Sequence, residues 1–249
     1  MKAKQTLISA GLMACMLCTK VGLAEEAQKP EAAPAGGDAE KSGWTLLFSD
    51  NFKRSELGKD WVAVDGEWKV ENGYLRGSGT LISARGIPAD YPPGYQRLEF
   101  EAATDVQPII FFKDKPKPKV MVGDMSSFIH AQPPDKAKKS PLKTGYFFQF
   151  GGLHNTLNQL QRAGASLLKD EDPAHMLVPD QKYRVVLEND KGTVRCIVDG
   201  KVIMETKEKQ AIFGQDYDRV GFYFYTAAKV FSVKVYVKRL PNDLDLDLV

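Results

Sequence analysis

Cysteine is almost absent from the part of this 249-residue chain that can fold. Cys15 and Cys18 sit in an apolar N-terminal run, which leaves Cys196 alone in the remainder. A single cysteine forms no internal disulfide, so the fold must rest on its packed core. The flanks of Cys196, Val194-Arg195-Cys196-Ile197-Val198, alternate like a strand and make it a small buried hydrophobe rather than a nucleophile. Histidine is equally scarce. His130, His154 and His175 are dispersed, with no neighbour at metal-ligand spacing, and His130 and His175 are expected in exposed loops. No cofactor or catalytic metal is therefore expected, while structural calcium is left open. A Ser-His-Asp elbow and a phosphate-cradling glycine loop are both missing. Charge of one sign is missing too: the formal net charge is +2, and residues 1–24 hold three lysines and no carboxylate, so the rest is close to neutral. That balance excludes nucleic acid as a partner recognised by global charge.

The apolar run from Thr6 to Cys18 is too short to span a bilayer. Lys2 and Lys4 precede it, and Gly22-Leu23-Ala24 offers small residues for a signal peptidase, so residues 1–24 are expected to be an export signal. A competing reading takes Leu12-Met13-Ala14-Cys15 as a lipobox, with a lipid anchor at Cys15. Either way the protein is expected to be exported: periplasmic, envelope-associated or extracellular. Residues 25–43, rich in Ala, Glu, Pro and Gly without apolar periodicity, are expected to be a disordered linker. A domain over residues 44–240 follows, and residues 241–249 form an acidic tail.

Within 44–240 the chain is short apolar stretches separated by turn residues, the pattern of an all-β antiparallel sandwich. Asn72-Gly73 and Asp199-Gly200 are hairpin turns by composition. Arg97 to Ala103 alternates, with Leu98, Phe100 and Ala102 on one face and Arg97, Glu99 and Glu101 on the other. Ile109 to Phe112 and Tyr146 to Phe150 are apolar on both faces. Tyr183 to Glu188, Val194 to Val198 and Lys201 to Glu205 predict a three-strand meander, and Arg219 to Tyr225 and Val230 to Lys238 predict two more strands. One helical turn is expected around Asn158 to Leu168. Lys113 to Lys143, with eight lysines and five prolines, is expected to be a solvated excursion with a small strand at Lys119 to Val122. Trp68, Tyr74, Phe100, Phe148 and Phe222 are the candidate core anchors.

The opening Leu47-Phe48-Ser49-Asp50-Asn51-Phe52-Lys53-Arg54, then Trp61 and Gly66-Glu67-Trp68-Lys69-Val70-Glu71-Asn72-Gly73-Tyr74-Leu75, resembles the start of concanavalin A-like domains of bacterial secreted proteins. It is similar both to the laminin-G-like glucanase superfamily and to 3-keto-disaccharide hydrolase-type domains. Tyr183 to Glu188, Val198-Asp199-Gly200-Lys201 and Val220-Gly221-Phe222-Tyr223 fit the ending. The resemblance covers most of Trp44 to Leu240. It implies a jelly roll of two packed antiparallel sheets, one concave and able to bind sugars, and says little about activity.

Retaining glucanases of this superfamily carry Glu-x-Asp-x-x-Glu on one strand, two carboxylates on one face serving as nucleophile and acid/base. Here the nearest run is Glu99-Phe100-Glu101-Ala102-Ala103-Thr104, with Glu at the central Asp and Thr at the last Glu. Glu99, Glu101 and Asp105 are thus the catalytic candidates, and departure from the pattern weakens them. The binding candidates come from Tyr146 to Arg162, where an aromatic strand runs into Gly151-Gly152 and a polar cluster of His154, Asn155, Asn158, Gln161 and Arg162. Gln149 points away from Phe148 and Phe150, toward a face it would share with Tyr223 and Tyr225. Aromatic faces and planar amides suit sugar rings and hydroxyls. The competing reading is a loop whose Asn and His side chains bond its own backbone. Three functions follow: a polysaccharide- or oligosaccharide-binding module, a glycoside hydrolase acting through an unplaced carboxylate, or a docking domain of the cell envelope.

Overall fold

The computed structural model describes residues 39, 42–109, 119–137, 141–212, 214 and 216–238. Residues 1–24, expected to be an export signal with Cys15, most of residues 25–43, expected to be a linker, Phe111 and Phe112, and residues 241–249, expected to be an acidic tail, lie outside the described residues. Among the described residues no helix is long and apolar enough to cross a membrane.

Strands dominate: β1 (Trp44–Asp50), β2 (Trp61–Ala63), β3 (Glu67–Glu71), β4 (Tyr74–Ser83), β5 (Tyr95–Thr104), β6 (Val106–Ile109), β7 (Lys119–Val122), β8 (Ser126–Ala131), β9 (Tyr146–Gly151), β10 (Leu157–Arg162), β11 (Ala165–Asp170), β12 (Tyr183–Asp190), β13 (Thr193–Val198), β14 (Lys201–Lys207) and β15 (Arg219–Lys238). Every pairing is antiparallel, and the main path runs β11-β10-β9-β8-β15-β5-β12-β13-β14. β6 and β7 form a separate ribbon, so the small strand expected at Lys119 to Val122 is present.

The long β15 joins two layers. Its first half pairs with β8 and β4, its second half with β5 and β1, and the register shifts between Phe224 and Ala228. The sequence predicts two strands here, Arg219 to Tyr225 and Val230 to Lys238, where the structure has one. The ladder instead continues through a bulge, a device that bends a strand from one layer into the other. The inner faces of both layers form one cluster, with Phe100 meeting Phe222 at 5.0 Å and Phe150 meeting Tyr183 at 5.4 Å between ring centroids.

Local chemistry explains the hairpins. Asn72 (φ 51°) with Gly73 (φ 78°), and Asp199 (φ 48°) with Gly200 (φ 83°), take the double left-handed conformation of a type I′ turn. The opening motif has a structural role. Burial raises the Asp50 carboxyl, but the Arg54 guanidinium, the Phe52 N–H and the Trp61 indole N–H outweigh that and hold it below its usual range.

Several expectations are corrected. Residues 158–168 form the β10–β11 hairpin, because Gln159 and Leu160 are claimed by β9 across the ladder. The lysine- and proline-rich excursion contains β8, a fully buried strand paired on both sides. Trp68 is half-buried rather than a central anchor: it lies across Gly77, where a Cβ would meet its ring at 2.4 Å, and packs its other side on Phe224. Tyr74 is half-buried against Phe231 beside its turn. Phe100, Phe148 and Phe222 are core. His130 is 2% exposed on β8, not in a loop. His175 is partly buried on the short turn Pro173–His175, where its Nδ1 lies 2.8 Å from Asp170.

Candidate functional site

Strand register assembles the site. Across β4, β15, β8, β9 and β10, one row on the outer face reads Thr80, Tyr223, Ser126, Gln149, Gln159, from the pairings Tyr223–Thr80, Tyr223–Ser126 and Gln149–Gln159. The next row brings Tyr225 beside Asp124, whose Oδ1 accepts the Tyr225 N–H at 2.8 Å. Beyond the end of β9 the chain turns through Gly152–Asn155 and returns as β10. These pieces enclose a pocket of about 280 Å³ whose walls include Asp124, Gln149, Leu153, His154, Tyr223 and Tyr225.

The turn over the pocket is conformationally unusual. Leu153, His154 and Asn155 have φ of 48°, 61° and 61°, a left-handed run costing about 1–2 kcal/mol per residue. Two asparagines hold it. Asn155 accepts from the Leu177 N–H and donates to the Leu177 carbonyl, both at 2.8 Å. Asn158, fully buried, accepts from the Gly151 N–H at 2.9 Å and donates to the His175 carbonyl at 3.0 Å. Leu153 is left 66% exposed at the rim. A Cβ on Gly152 would meet the Gln149 side chain at 2.5 Å, so glycine there leaves that side chain its place at the pocket.

Asp124 is the functional candidate that sequence reasoning missed. It is 4% exposed, its carboxyl accepts from the Ser126 hydroxyl and the Tyr225 N–H, and no salt bridge reaches it among the described residues. Burial pushes its pKa above the ordinary aspartate value, and those hydrogen bonds offset only part of that. The sequence signal was faint: an Asp-x-Ser beside a glycine inside a segment that reads as solvated. Burial likewise raises the Tyr223 hydroxyl. Tyr225 is 67% exposed at the mouth and presents an open ring face.

Gln149, His154, Tyr223 and Tyr225 therefore converge on the pocket, and Asn155 and Asn158 brace its turn from behind. Arg162 lies apart, bonding the Gln210 carbonyl at 2.7 Å, with Nε 3.2 Å from Glu208. The carboxylate candidates also lie elsewhere. Glu99 is 3% exposed on the outer face of the opposite layer, bonded by Arg97 at 3.1 Å and Arg184 at 3.0 Å. Glu101 shares that face, half-buried. Burial raises the Asp105 carboxyl, but Lys229 at 2.8 Å and Arg76 at 2.6 Å hold it below its usual range. Among the described residues no cluster of three metal-ligating side chains occurs.

No protein-family model and no curated protein sequence matches the chain. Solved structures do. The laminarinase catalytic domain of Thermotoga maritima superposes with a TM-score of 0.52 at 12% identity, over 80% of this chain and 99% of that one. The catalytic domain of an endo-1,3-β-glucanase from Thermotoga petrophila gives 0.51 at 13% identity, over 79% and 99%. The fold is a concanavalin A-like jelly roll. A structure described under endo-acting O-glycanases of human gut bacteria gives 0.50 at 16% identity, over 78% and 99%. At such identities the concanavalin A-like fold is what is shared.

Proposed function

We propose that this protein is an exported carbohydrate-recognition module that binds glycan in the pocket between Tyr223, Tyr225 and Gln149. The observation carrying this reading is the convergence of two tyrosine rings, one planar amide, an imidazole and a buried carboxyl in one hollow. Sugar rings present apolar C–H faces and rows of hydroxyls. Tyr225 supplies a face for the former, while Gln149, His154 and Asp124 supply donors and acceptors for the latter. The folds it is similar to include proteins whose names specify glucan and glycan substrates, which supports glycan as the ligand class. Export follows from residues 1–24 read as a signal, cleaved after Ala24 or lipidated at Cys15, with residues 25–43 as tether and 44–240 as the working domain.

A second reading, glycoside hydrolysis, is favoured by one feature: a carboxyl whose pKa is raised by burial lines the pocket, as a proton donor to a leaving oxygen requires. One experiment separates the two. The purified protein is offered a panel of polysaccharides, oligosaccharides and 3-keto-disaccharides, and bound ligand and released product are scored together. Binding without product, weakened about tenfold or more by Tyr225→Ala or Gln149→Ala, supports the recognition module. Product formation that Asp124→Asn abolishes while binding persists replaces it with the hydrolase. Retention of no glycan at all overturns both readings.

A further inference from the structure

The turn that closes the glycan pocket has two features that folding alone does not explain. Leu153 has φ of 48°, a left-handed conformation in which its Cβ crowds the backbone and which glycine adopts without that crowding. Its side chain is also 66% exposed, so it contributes little to the core. The structure nonetheless fixes this residue from both sides. Asn155 bonds both backbone groups of Leu177, Asn158 takes the Gly151 N–H, and the Thr156 hydroxyl donates to the Leu153 carbonyl at 2.8 Å. Backbone strain that surrounding bonds maintain, at a side chain that buries little, points to a task in binding.

Leu153 does not stand alone. Among the described residues it and Tyr225, 67% exposed, are the most exposed large hydrophobic side chains, and both line the same pocket. Gln149 lies next to the turn. A Cβ on Gly152, the residue before Leu153, would meet Gln149 Cδ at 2.5 Å and Nε2 at 2.8 Å. The Gln149 carboxamide is half-buried and makes no hydrogen bond among the described residues. The pocket thus sets a free amide donor and acceptor beside an exposed branched aliphatic group. A bare sugar ring has little use for that leucine, because its hydroxyls need polar partners and its C–H face lies best on a flat ring such as Tyr225. An acetamido substituent has a use for both neighbours: its carbonyl is an acceptor for an amide N–H, and its methyl is an apolar contact.

We infer that the glycan bound in this pocket carries an N-acetyl group, whose methyl packs on Leu153 while its carbonyl accepts from the Gln149 amide. This inference rests on the glycan reading above and narrows it from sugars in general to N-acetylhexosamines. Covering Leu153 removes from water an apolar side chain that the folded protein leaves wet. A hydroxyl in place of the acetamido group removes the methyl and leaves Leu153 exposed. Tyr225 serves acetylated and plain sugars alike, since it meets the ring, so the preference resides in Leu153 and Gln149.

Two pairs of sugars that differ only in acetamido against hydroxyl test the assignment by calorimetric titration of the purified protein: triacetylchitotriose with cellotriose, and N-acetyllactosamine with lactose. In at least one pair the acetylated member is expected to bind at least about tenfold more tightly. Leu153→Gly removes the side chain and suits the left-handed backbone. It is expected to bring that ratio down to about twofold or less, with a melting temperature no lower than that of the parent protein. Tyr225→Ala is expected to weaken both members and keep the ratio. Equal binding within each pair, tighter binding of the hydroxyl member, or a ratio that survives Leu153→Gly overturns the N-acetyl assignment and leaves the glycan reading standing. Binding of other glycans with none of these four has the same meaning. Retention of no glycan at all removes the glycan reading itself, and this assignment with it.

Discussion

Glu99 shows how a residue that looks catalytic on paper acquires a different role. Its alternation with Phe100 correctly put it on the outer face of β5, but not which charges would surround it. Arg97 binds Glu99 and Glu188, Arg195 binds Glu188 and Glu205, and Arg184 binds Glu99, giving a continuous chain of ion pairs over β5, β12, β13 and β14. Removing one member of a buried pair strands its partner, so Glu99→Gln is expected to destabilise the fold by about 3 kcal/mol and leave glycan binding unchanged. Urea denaturation together with a binding titration checks both halves; lost binding at unchanged stability would return Glu99 to the functional residues. The reverse holds for Tyr225. At 67% exposure it contributes little to the core, so Tyr225→Ala should cost binding with a melting temperature close to that of the parent. Of the pocket residues, Gln149 and the two tyrosines were legible because a period of two assigns faces without knowledge of partners. Asp124 was not, since its burial comes from strands far away in the chain.

Among elements, the meander β12-β13-β14 was readable because each strand meets its neighbour across a short turn whose residues demand positive φ. β8 was not readable. It lies among lysines and prolines, carries Ser126, Ser127 and His130, and pairs with β9 and with β15, the latter some ninety residues away. Likewise the spacing of Leu157, Leu160, Leu167 and Leu168 mimics a helix until the β9 ladder claims the segment. The place of β8 against β15 depends on Gly221. On the outer face Ile82, Gly221, Phe128 and Phe147 form one row, and a Cβ on Gly221 would stand 2.4 Å from the Phe128 ring and 2.1 Å from the Leu81 carbonyl. Backbone cannot yield as a side-chain tip can, so Gly221→Ala is expected to cost about 3 kcal/mol. A urea midpoint equal to that of the parent protein would show that β15 shifts at no cost.

For the molecule as a whole, acid should find its weak point at His130. Burial lowers its folded-state pKa from 6.5 to about 4. Between those values the unfolded chain takes up a proton that the folded chain refuses. The contribution of neutral His130 is therefore complete above about pH 6.5 and is lost as pH falls toward 4, up to roughly 3 kcal/mol. Acids with raised pKa, buried Asp124 and half-buried Asp218, act in the opposite sense, so the test compares proteins rather than pH values alone. The urea midpoint of His130→Gln should fall less between pH 7 and 5 than that of the parent; equal slopes would mean that His130 takes up its proton without unfolding. The all-β sandwich, the faces of its legible strands and its tightest turns followed from sequence alone, because alternation and turn chemistry are local properties. Tertiary structure alone decided that β15 serves both layers, that Asp124 and His130 are buried, and which outward polar residues share a pocket. Those outcomes depend on pairings between distant segments, and a period of two specifies the face of each residue without naming the strand that lies beside it.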